Sequence, residues 1–179
     1  MPDEVSIEPL QAADIPAVAE LARAIWREHH VKFVSADQVE YMLRNKYTVA
    51  ELASYVGGTD RWLDVLRVGG TIAGFLRCMR KDPGELKLEE IYVSQTMRGT
   101  GMGRTLLALA ESRARGLGCS FVILYVNRAN DSAVRAYRRA GFVVRRELVV
   151  DIGSGYVMDD FLMAKSLVDP PPVAGASRP

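Results

Sequence analysis

The sequence lacks the features that would place the protein in a membrane or on a polyanion. None of its apolar runs approaches the ~20 residues that a membrane-spanning helix needs. It also lacks an excess of either charge, with 23 Lys and Arg against 22 Asp and Glu, so nothing predicts nucleic acid or an anionic membrane as a partner. The segment 1–6 carries acidic residues and no basic one, unlike a secretory signal. We therefore expect a cytoplasmic protein.

Cysteine and histidine are scarce, which disfavours a disulfide framework or a metal centre. The two cysteines, Cys78 and Cys119, lie far apart in apolar runs, where reduced core thiols are expected. The two histidines, His29 and His30, are adjacent, so on a helix they diverge, and no Cys or His cluster accompanies them. We predict no metal site, and we place both histidines on the surface or at a pocket rim.

What the chain does contain is enough apolar surface for a globular domain. Hydrophobic residues make up 49% of it and charged residues 25%, a balance typical of folded chains. We find no internal repeat. Three prolines at 170–172 open a final segment rich in Ala, Gly, Ser and Pro. We predict one domain over residues 1–168 and a flexible tail over 169–179.

The second half of the chain alternates strand and helix patterns, whereas the first half combines helices with a hairpin. Serine and threonine at positions 35 and 48 have the spacing of helix N-caps. The predicted elements are strands at 5–9, 62–68, 71–79, 85–93, 121–126, 142–150 and 156–166, with helices starting at 14, 35 and 48 and covering 101–116 and 132–140. This order predicts an α/β fold with a mixed sheet and a strand–helix crossover at its centre.

The most informative segment is the phosphate loop, Arg98-Gly99-Thr100-Gly101-Met102-Gly103-Arg104. Its glycines let the backbone approach a ligand, and free N–H groups at a helix start attract an anion. Its arginines add forked donors suited to phosphate. Position 104 is not the third glycine of a dinucleotide motif, and no Gly-Lys-Ser/Thr is present, so ATP or NAD loops are the weaker alternative. The pattern predicts a pyrophosphate site.

From this loop outward the sequence resembles the GNAT superfamily of N-acetyltransferases. The resemblance lies in Arg98-x-x-Gly101-x-Gly103, in Leu-Glu-Glu-Ile-Tyr-Val at 88–93, in Asn-Arg-Ala-Asn-Asp-Ser-Ala at 127–133, in Tyr137 and in Gly141-Phe142. It implies a mixed sheet whose central parallel strands, 85–93 and 121–126, splay apart between flanking helices. It also implies an enzyme that uses acetyl-CoA as co-substrate.

The resemblance further implies how the cofactor is held. Backbone groups of Ile91, Tyr92 and Val93 and the side chain of Asn130 would contact the pantetheine arm. Tyr137 would direct its hydroxyl at the thioester sulfur as a hydrogen-bond donor. The pyrophosphate would lie against the whole phosphate loop, formed by Arg98, Gly99, Thr100, Gly101, Met102, Gly103 and Arg104.

A carboxylate is expected to take the proton of the acceptor amine, and three glutamates compete for that role. Strand alternation puts Glu85 and Glu89 on one face with Val93, and Glu90 on the other. We favour Glu89 because that face lies beside the expected thioester, whereas Glu85 is farther along the strand. A bulge in this strand would reverse the alternation and favour Glu90.

The acceptor is the part that the sequence defines least. Residues 86–93 and 156–167 resemble bacterial polyamine acetyltransferases, and a polycation would find carboxylates at Glu85, Glu89, Glu90, Asp159 and Asp160. An aminoglycoside, an amino acid and a protein N-terminus stay open. We predict direct attack by a primary amine in a ternary complex; the alternative is an acetyl-CoA sensor of the same fold without turnover. A homodimer is compatible with the sequence.

Overall fold

The computed structural model describes residues 4–81 and 84–168, so the tail predicted for 169–179 lies outside the described residues. The elements follow the predicted order, with ends that differ by a few residues. They are β1 (Val5–Pro9), α1 (Ile15–His29), α2 (Ala36–Lys46), α3 (Val49–Ala53), β2 (Arg61–Val68), β3 (Thr71–Lys81), β4 (Glu85–Val93), α4 (Met102–Gly116), β5 (Phe121–Asn127), α5 (Asp131–Arg139), β6 (Val143–Gly153) and β7 (Tyr156–Ser166).

The strands form one mixed sheet in the order β1-β2-β3-β4-β5-β7-β6. Only β4 and β5 pair in parallel, and their pairing runs from Glu85 opposite Phe121 to Leu88 opposite Leu124. Both strands continue beyond these residues without pairing to each other, so the sheet opens between them. The predicted fold class, with its splayed central pair, is confirmed.

A β-bulge at Glu89 accompanies the opening. Arg77 of β3 lies opposite Glu90, while the next residue, Cys78, lies opposite Leu88, so Glu89 has no partner on β3. An extra residue reverses the alternation of the strand from this point on. Leu88 and Ile91 therefore pack on the same face of the sheet.

The bulge changes one expectation directly. Glu89 does not share a face with Val93, because the extra residue puts the two side chains on opposite sides of the sheet. Val93 packs against the apolar cluster on the side of α4. Glu90 and Tyr92 instead face the helices α1 to α3, and Tyr92 packs against the apolar cluster on that side of the sheet.

The two faces of the sheet each bury an apolar cluster. The α4 side contains, among others, Leu86, Leu106, Ala110, Val122, Leu124, Phe142 and Met163. The α1–α3 side contains Val18, Ala22, Trp26, Leu43, Tyr47, Leu52, Val65 and Phe75. The predicted N-caps are present, since the hydroxyls of Ser35 and Thr48 accept hydrogen bonds from the third residues of their helices at 3.1 Å. Among the described residues, no helix is long and apolar enough to cross a membrane.

Candidate active site

A cavity of about 760 Å³ occupies the opening between β4 and β5. Its walls come from the end of α1, from α2, from the two splayed strands, from α5 and from β7. The polar and aromatic side chains that line it are Trp26, His29, His30, Lys32, Phe33, Lys46, Arg77, Lys87, Glu89, Glu90, Tyr92, Arg98, Tyr125, Asn127, Asn130, Ser132, Tyr137 and Asp160. The cavity thus joins segments far apart in the sequence at the point where strand pairing ends.

The phosphate loop lies at one end of this cavity. Gly99 and Gly101 have φ angles of +80° and +91°, which L side chains rarely adopt, and Gly101 is the N-cap of α4. Among the described residues, no group accepts a hydrogen bond from the backbone N–H groups of residues 99–103. The first backbone N–H of the helix with a partner is that of Arg104, which donates to the Gly101 carbonyl at 3.0 Å. Five successive free donors at a helix start suit an anion.

The glycines also leave room for a ligand. A Cβ atom built at Gly99, Gly101 or Gly103 would meet no heavy atom within 4 Å. Gly103 is helical, so its conformation does not require glycine, and the open space above it is where a bound group can approach the backbone. Both the free donors and this open space fit a pyrophosphate.

The two arginines of the loop differ in their surroundings. Arg98 lines the cavity and forms an exposed ion pair with Glu28 at 3.2 Å. Arg104 is exposed on the first turn of α4. Of the other predicted cofactor residues, Ile91, Tyr92, Val93, Gly103, Asn130 and Tyr137 line the cavity, whereas Gly99, Thr100, Gly101 and Met102 do not.

Helix α5 presents two predicted residues to the cavity. The Asn130 side chain is the N-cap, since its Oδ1 accepts from the backbone N–H of Ala133 at 3.2 Å. Its amide nitrogen lies 3.5 Å from Nε2 of His29. Tyr137 is mostly buried with its ring edge-on to Phe142 at 5.6 Å, and burial raises the pKa of Tyr137 to about 12. Its hydroxyl therefore stays protonated at neutral pH.

The histidines, expected at the surface or a pocket rim, line the cavity. His30 stacks on Trp26 with ring centroids 3.9 Å apart, and its Nε2 lies 3.1 Å from the Tyr92 hydroxyl. Burial, with smaller contributions from His29 and Lys46, lowers the pKa of His30 to about 4. A neutral imidazole therefore orients Tyr92 at neutral pH.

A group of polar side chains bonded to one another forms a cluster that we call the acceptor wall, defined as Lys46, Tyr47, Tyr55, Arg77, Glu89 and Glu90. All of them except Tyr47 and Tyr55 line the cavity. Glu90 is buried and accepts from the Tyr47 hydroxyl at 2.7 Å, while Lys46 lies 3.0 Å from the same oxygen. Tyr47 in turn accepts from Nε1 of Trp26 at 2.7 Å. Sequence patterns missed this chain because its members come from α1, α2 and β4.

Glu89, the favoured catalytic carboxylate, is also partnered. It accepts from the Tyr55 hydroxyl at 2.6 Å and lies 3.6 Å from Arg77 and 3.5 Å from Lys87. Burial on its own would raise the pKa of Glu89, but the Tyr55 hydrogen bond and the charges of Arg77 and Lys87 outweigh it and lower that pKa. Glu89 is therefore ionised throughout the neutral range.

The remaining candidate, Glu85, lies outside the cavity lining and pairs with Arg145 at 2.5 Å. Its position at the paired end of β4 keeps it away from the opening. Among the described residues, no group of three His, Cys, Asp or Glu side chains is arranged to hold a metal ion.

Comparison with known proteins points to one family. The model of the acetyltransferase (GNAT) family matches residues 18–142. The spermidine N(1)-acetyltransferase of Thermoplasma acidophilum is 26% identical over 159 residues, which is 87% of this chain and 96% of that protein.

Solved structures share the fold. The PaiA N-acetyltransferase of Thermoplasma acidophilum, crystallised in complex with coenzyme A, matches with a TM-score of 0.77 at 23% identity, covering 91% of this chain and 99% of that one. YncA of Salmonella typhimurium, solved with its cofactor acetyl-CoA, matches with a TM-score of 0.67 at 19% identity, covering 94% and 96%.

Proposed function

The chain belongs to the acetyltransferase (GNAT) family, and we propose that it transfers the acetyl group of acetyl-CoA to a primary amine by direct attack in a ternary complex. One observation carries the proposal: a loop with five unused N–H donors borders a cavity that contains Tyr137 and several carboxylates. The spermidine acetyltransferase relative and the coenzyme A complexes of the same fold support it.

The residues present fit coenzyme A along the whole opening. The phosphate loop would hold the pyrophosphate, with Arg98 and Arg104 adding charge. Strand β4 pairs with β5 only as far as Leu88, so the β5-facing backbone groups of residues 91–93 are left for the pantetheine arm. Asn130 borders the same opening. Acetyl-CoA would supply the acetyl group, activated as a thioester.

The acceptor nitrogen must lose a proton before it can attack. An alkylammonium has a pKa of about 10.4, so at pH 7 roughly one molecule in 2,500 is the neutral nucleophile. This deficit corresponds to about 4.6 kcal/mol. A carboxylate in the cavity can reduce it by attracting the ammonium and by accepting its proton.

We assign Glu89 a direct role with the amine. Because the pKa of Glu89 is lowered, this carboxylate holds its negative charge at neutral pH and suits electrostatic attraction of an incoming ammonium. Glu90 is buried and bonded to Tyr47 and Lys46. Its role in this proposal is to hold the acceptor wall in shape.

Tyr137 acts on the leaving group as a hydrogen-bond donor. Its pKa of about 12 exceeds that of an ordinary thiol, ~8.5, by enough to make full proton transfer uphill by roughly 5 kcal/mol. A hydrogen bond to the developing negative charge needs no such transfer. Thiolate departure is therefore assisted without Tyr137 becoming a tyrosinate.

Calorimetric titration with acetyl-CoA, repeated in excess ATP and NAD, tests the cofactor. We expect micromolar affinity that neither nucleotide changes; competition by ATP or NAD would indicate a nucleotide enzyme instead. Thiol release is then measured with an amine panel of spermidine, an aminoglycoside, amino acids and a peptide N-terminus. Tight binding without thiol release from any amine would favour the sensor alternative.

A further inference from the structure

Strand β7 brings a third carboxylate to the cavity. Met158 and Asp160 of β7 line it, whereas the intervening Asp159 points to the opposite face, where Arg128 lies 3.4 Å away. Asp160 is paired through the backbone with Asn127 at the end of β5 and with Leu148 of β6. It therefore lies across the opening from the bulge of β4.

Asp160 differs from both glutamates of the acceptor wall in having no side-chain hydrogen bond or ion pair with any of the described residues. Its Oδ1 is buried without a hydrogen bond, and no cation within the described residues lies within 4 Å of its carboxylate. Glu89 is bonded to Tyr55, and Glu90 is bonded to Tyr47. A proton acceptor needs an oxygen lone pair that is not already engaged, and Asp160 both lines the cavity and has an oxygen without a hydrogen bond. Glu90 Oε2 also has no hydrogen bond, but Arg77 lies 3.5 Å from it.

Resting on the acetyl transfer proposed above, we propose that Asp160 is the catalytic base, accepting the proton of the attacking amine. As the nitrogen–carbon bond forms and the carbon–sulfur bond breaks, the nitrogen loses one proton to the Asp160 carboxylate. The departing thiolate takes a proton from water, and Asp160 returns its own to water, so charge and protons balance. Glu89 attracts the ammonium, which releases one proton to water to become the neutral amine. Asp160 takes the second proton as that amine attacks.

The acidity of Asp160 is consistent with this division. Burial and the neighbouring charge of Asp159 raise the pKa of Asp160 to about 6, and Lys46 of α2 partly opposes them. The residues opposite it on β5 and β6, Asn127 and Leu148, are uncharged. Two cavity carboxylates whose pKa values move in opposite directions suit two different roles.

The test compares three isosteric variants, Asp160→Asn, Asp159→Asn and Glu89→Gln, in amine acetylation between pH 5 and 9. For Asp160→Asn we expect kcat/KM to fall by about 10²–10⁴-fold, with unchanged acetyl-CoA affinity. The wild-type rise in activity through a pKa near 6 should disappear in this variant. It should persist in Glu89→Gln, and in Asp159→Asn it should shift to lower pH, because a like charge is removed.

An Asp160→Asn variant within about threefold of an active wild type, or one that keeps the rise near pH 6, would overturn the role of Asp160 alone. A wild type that releases no thiol with any amine would overturn the proposed function as well. A second measurement needs no acceptor: ¹³C NMR of aspartate-labelled protein should show a carboxyl that titrates near pH 6 and is missing in Asp160→Asn. Titration of that carboxyl near pH 4 would also overturn the proposal.

Discussion

The polar groups at the two ends of the cavity differ in whether they have hydrogen-bond partners. In the phosphate loop, N–H groups of residues 99–103 have no partner among the described residues. In the acceptor wall, Tyr47, Tyr55 and Glu89 each bond to a neighbouring side chain. Donors without partners are available to a ligand, whereas partnered groups already hold the protein together. Substitutions in the loop should therefore change affinity, and substitutions in the wall should first change stability.

The largest effect is expected for Gly101→Asp. A side chain here opposes the φ of +91° and puts a negative charge at the helix start where phosphate would lie. We expect coenzyme A affinity to fall by at least ~100-fold, or about 3 kcal/mol, in a calorimetric titration. Gly118→Asp is the matched control, because Gly118, just beyond the other end of α4, also has a positive φ (+71°) and a Cβ there also meets no atom within 4 Å.

Full affinity in Gly101→Asp would refute the phosphate assignment of the loop. Equal losses in both variants would instead mean that the substitution disturbs α4 as a whole. Thermal melting of each variant separates these outcomes, since only the second predicts that both proteins unfold at lower temperature.

The next largest effect is expected at Tyr137, which lies between the two ends. Tyr137→Phe should lower kcat by about 10- to 100-fold, because a hydrogen bond to developing charge is lost. Acetyl-CoA affinity should stay unchanged, because the ring and its contact with Phe142 remain. Tyr156→Phe, outside the cavity lining, is the control. A wild-type kcat in Tyr137→Phe would make this tyrosine a core aromatic only.

The acceptor wall predicts a smaller effect, and on stability. Tyr47→Phe removes the hydroxyl that accepts from Trp26 Nε1 and donates to Glu90. Each of these two buried groups then loses a hydrogen-bond partner. We expect the free energy of unfolding in urea to fall by about 1–3 kcal/mol. Tyr41→Phe, which loses one bond to the Ile152 carbonyl, should cost less. Equal losses would mean that the wall contributes no more than an ordinary surface contact.

The same contrast explains what could be predicted from the sequence. The phosphate loop is contiguous, so its glycines and arginines reveal the site directly, and the order of strands and helices follows from local periodicity. The acceptor wall joins residues 43 positions apart in Tyr47 and Glu90, and 34 apart in Tyr55 and Glu89. No local pattern encodes such pairs.

The bulge at Glu89 shows the second limit. Neither glycine nor proline marks it, so strict alternation placed Glu89 on the face of Val93. The extra residue instead moves Ile91 and Val93 to the α4 side and leaves Glu89 on the side of the acceptor wall. The sequence could name Asp160 as a carboxylate for a cationic acceptor. That no cation of the described residues lies within 4 Å of its carboxylate is visible only once β7 lies beside the opening.

The smallest expected effect concerns Arg98, the residue of the phosphate loop whose charged side chain forms an ion pair with Glu28. Its ion pair with Glu28 is exposed on both sides, so each charge is well solvated and contributes about 1 kcal/mol or less. Arg98→Gln should weaken coenzyme A binding by roughly three- to tenfold. Glu28→Gln should strengthen it by a few-fold, since it frees Arg98 and removes a negative charge near the phosphate loop. Both changes should shrink in 0.5 M salt, which shortens the screening length to about 4 Å. Equal coenzyme A affinities in the two variants would mean that Arg98 only forms the ion pair with Glu28. The backbone donors of residues 99–103 would then bind the anion without Arg98.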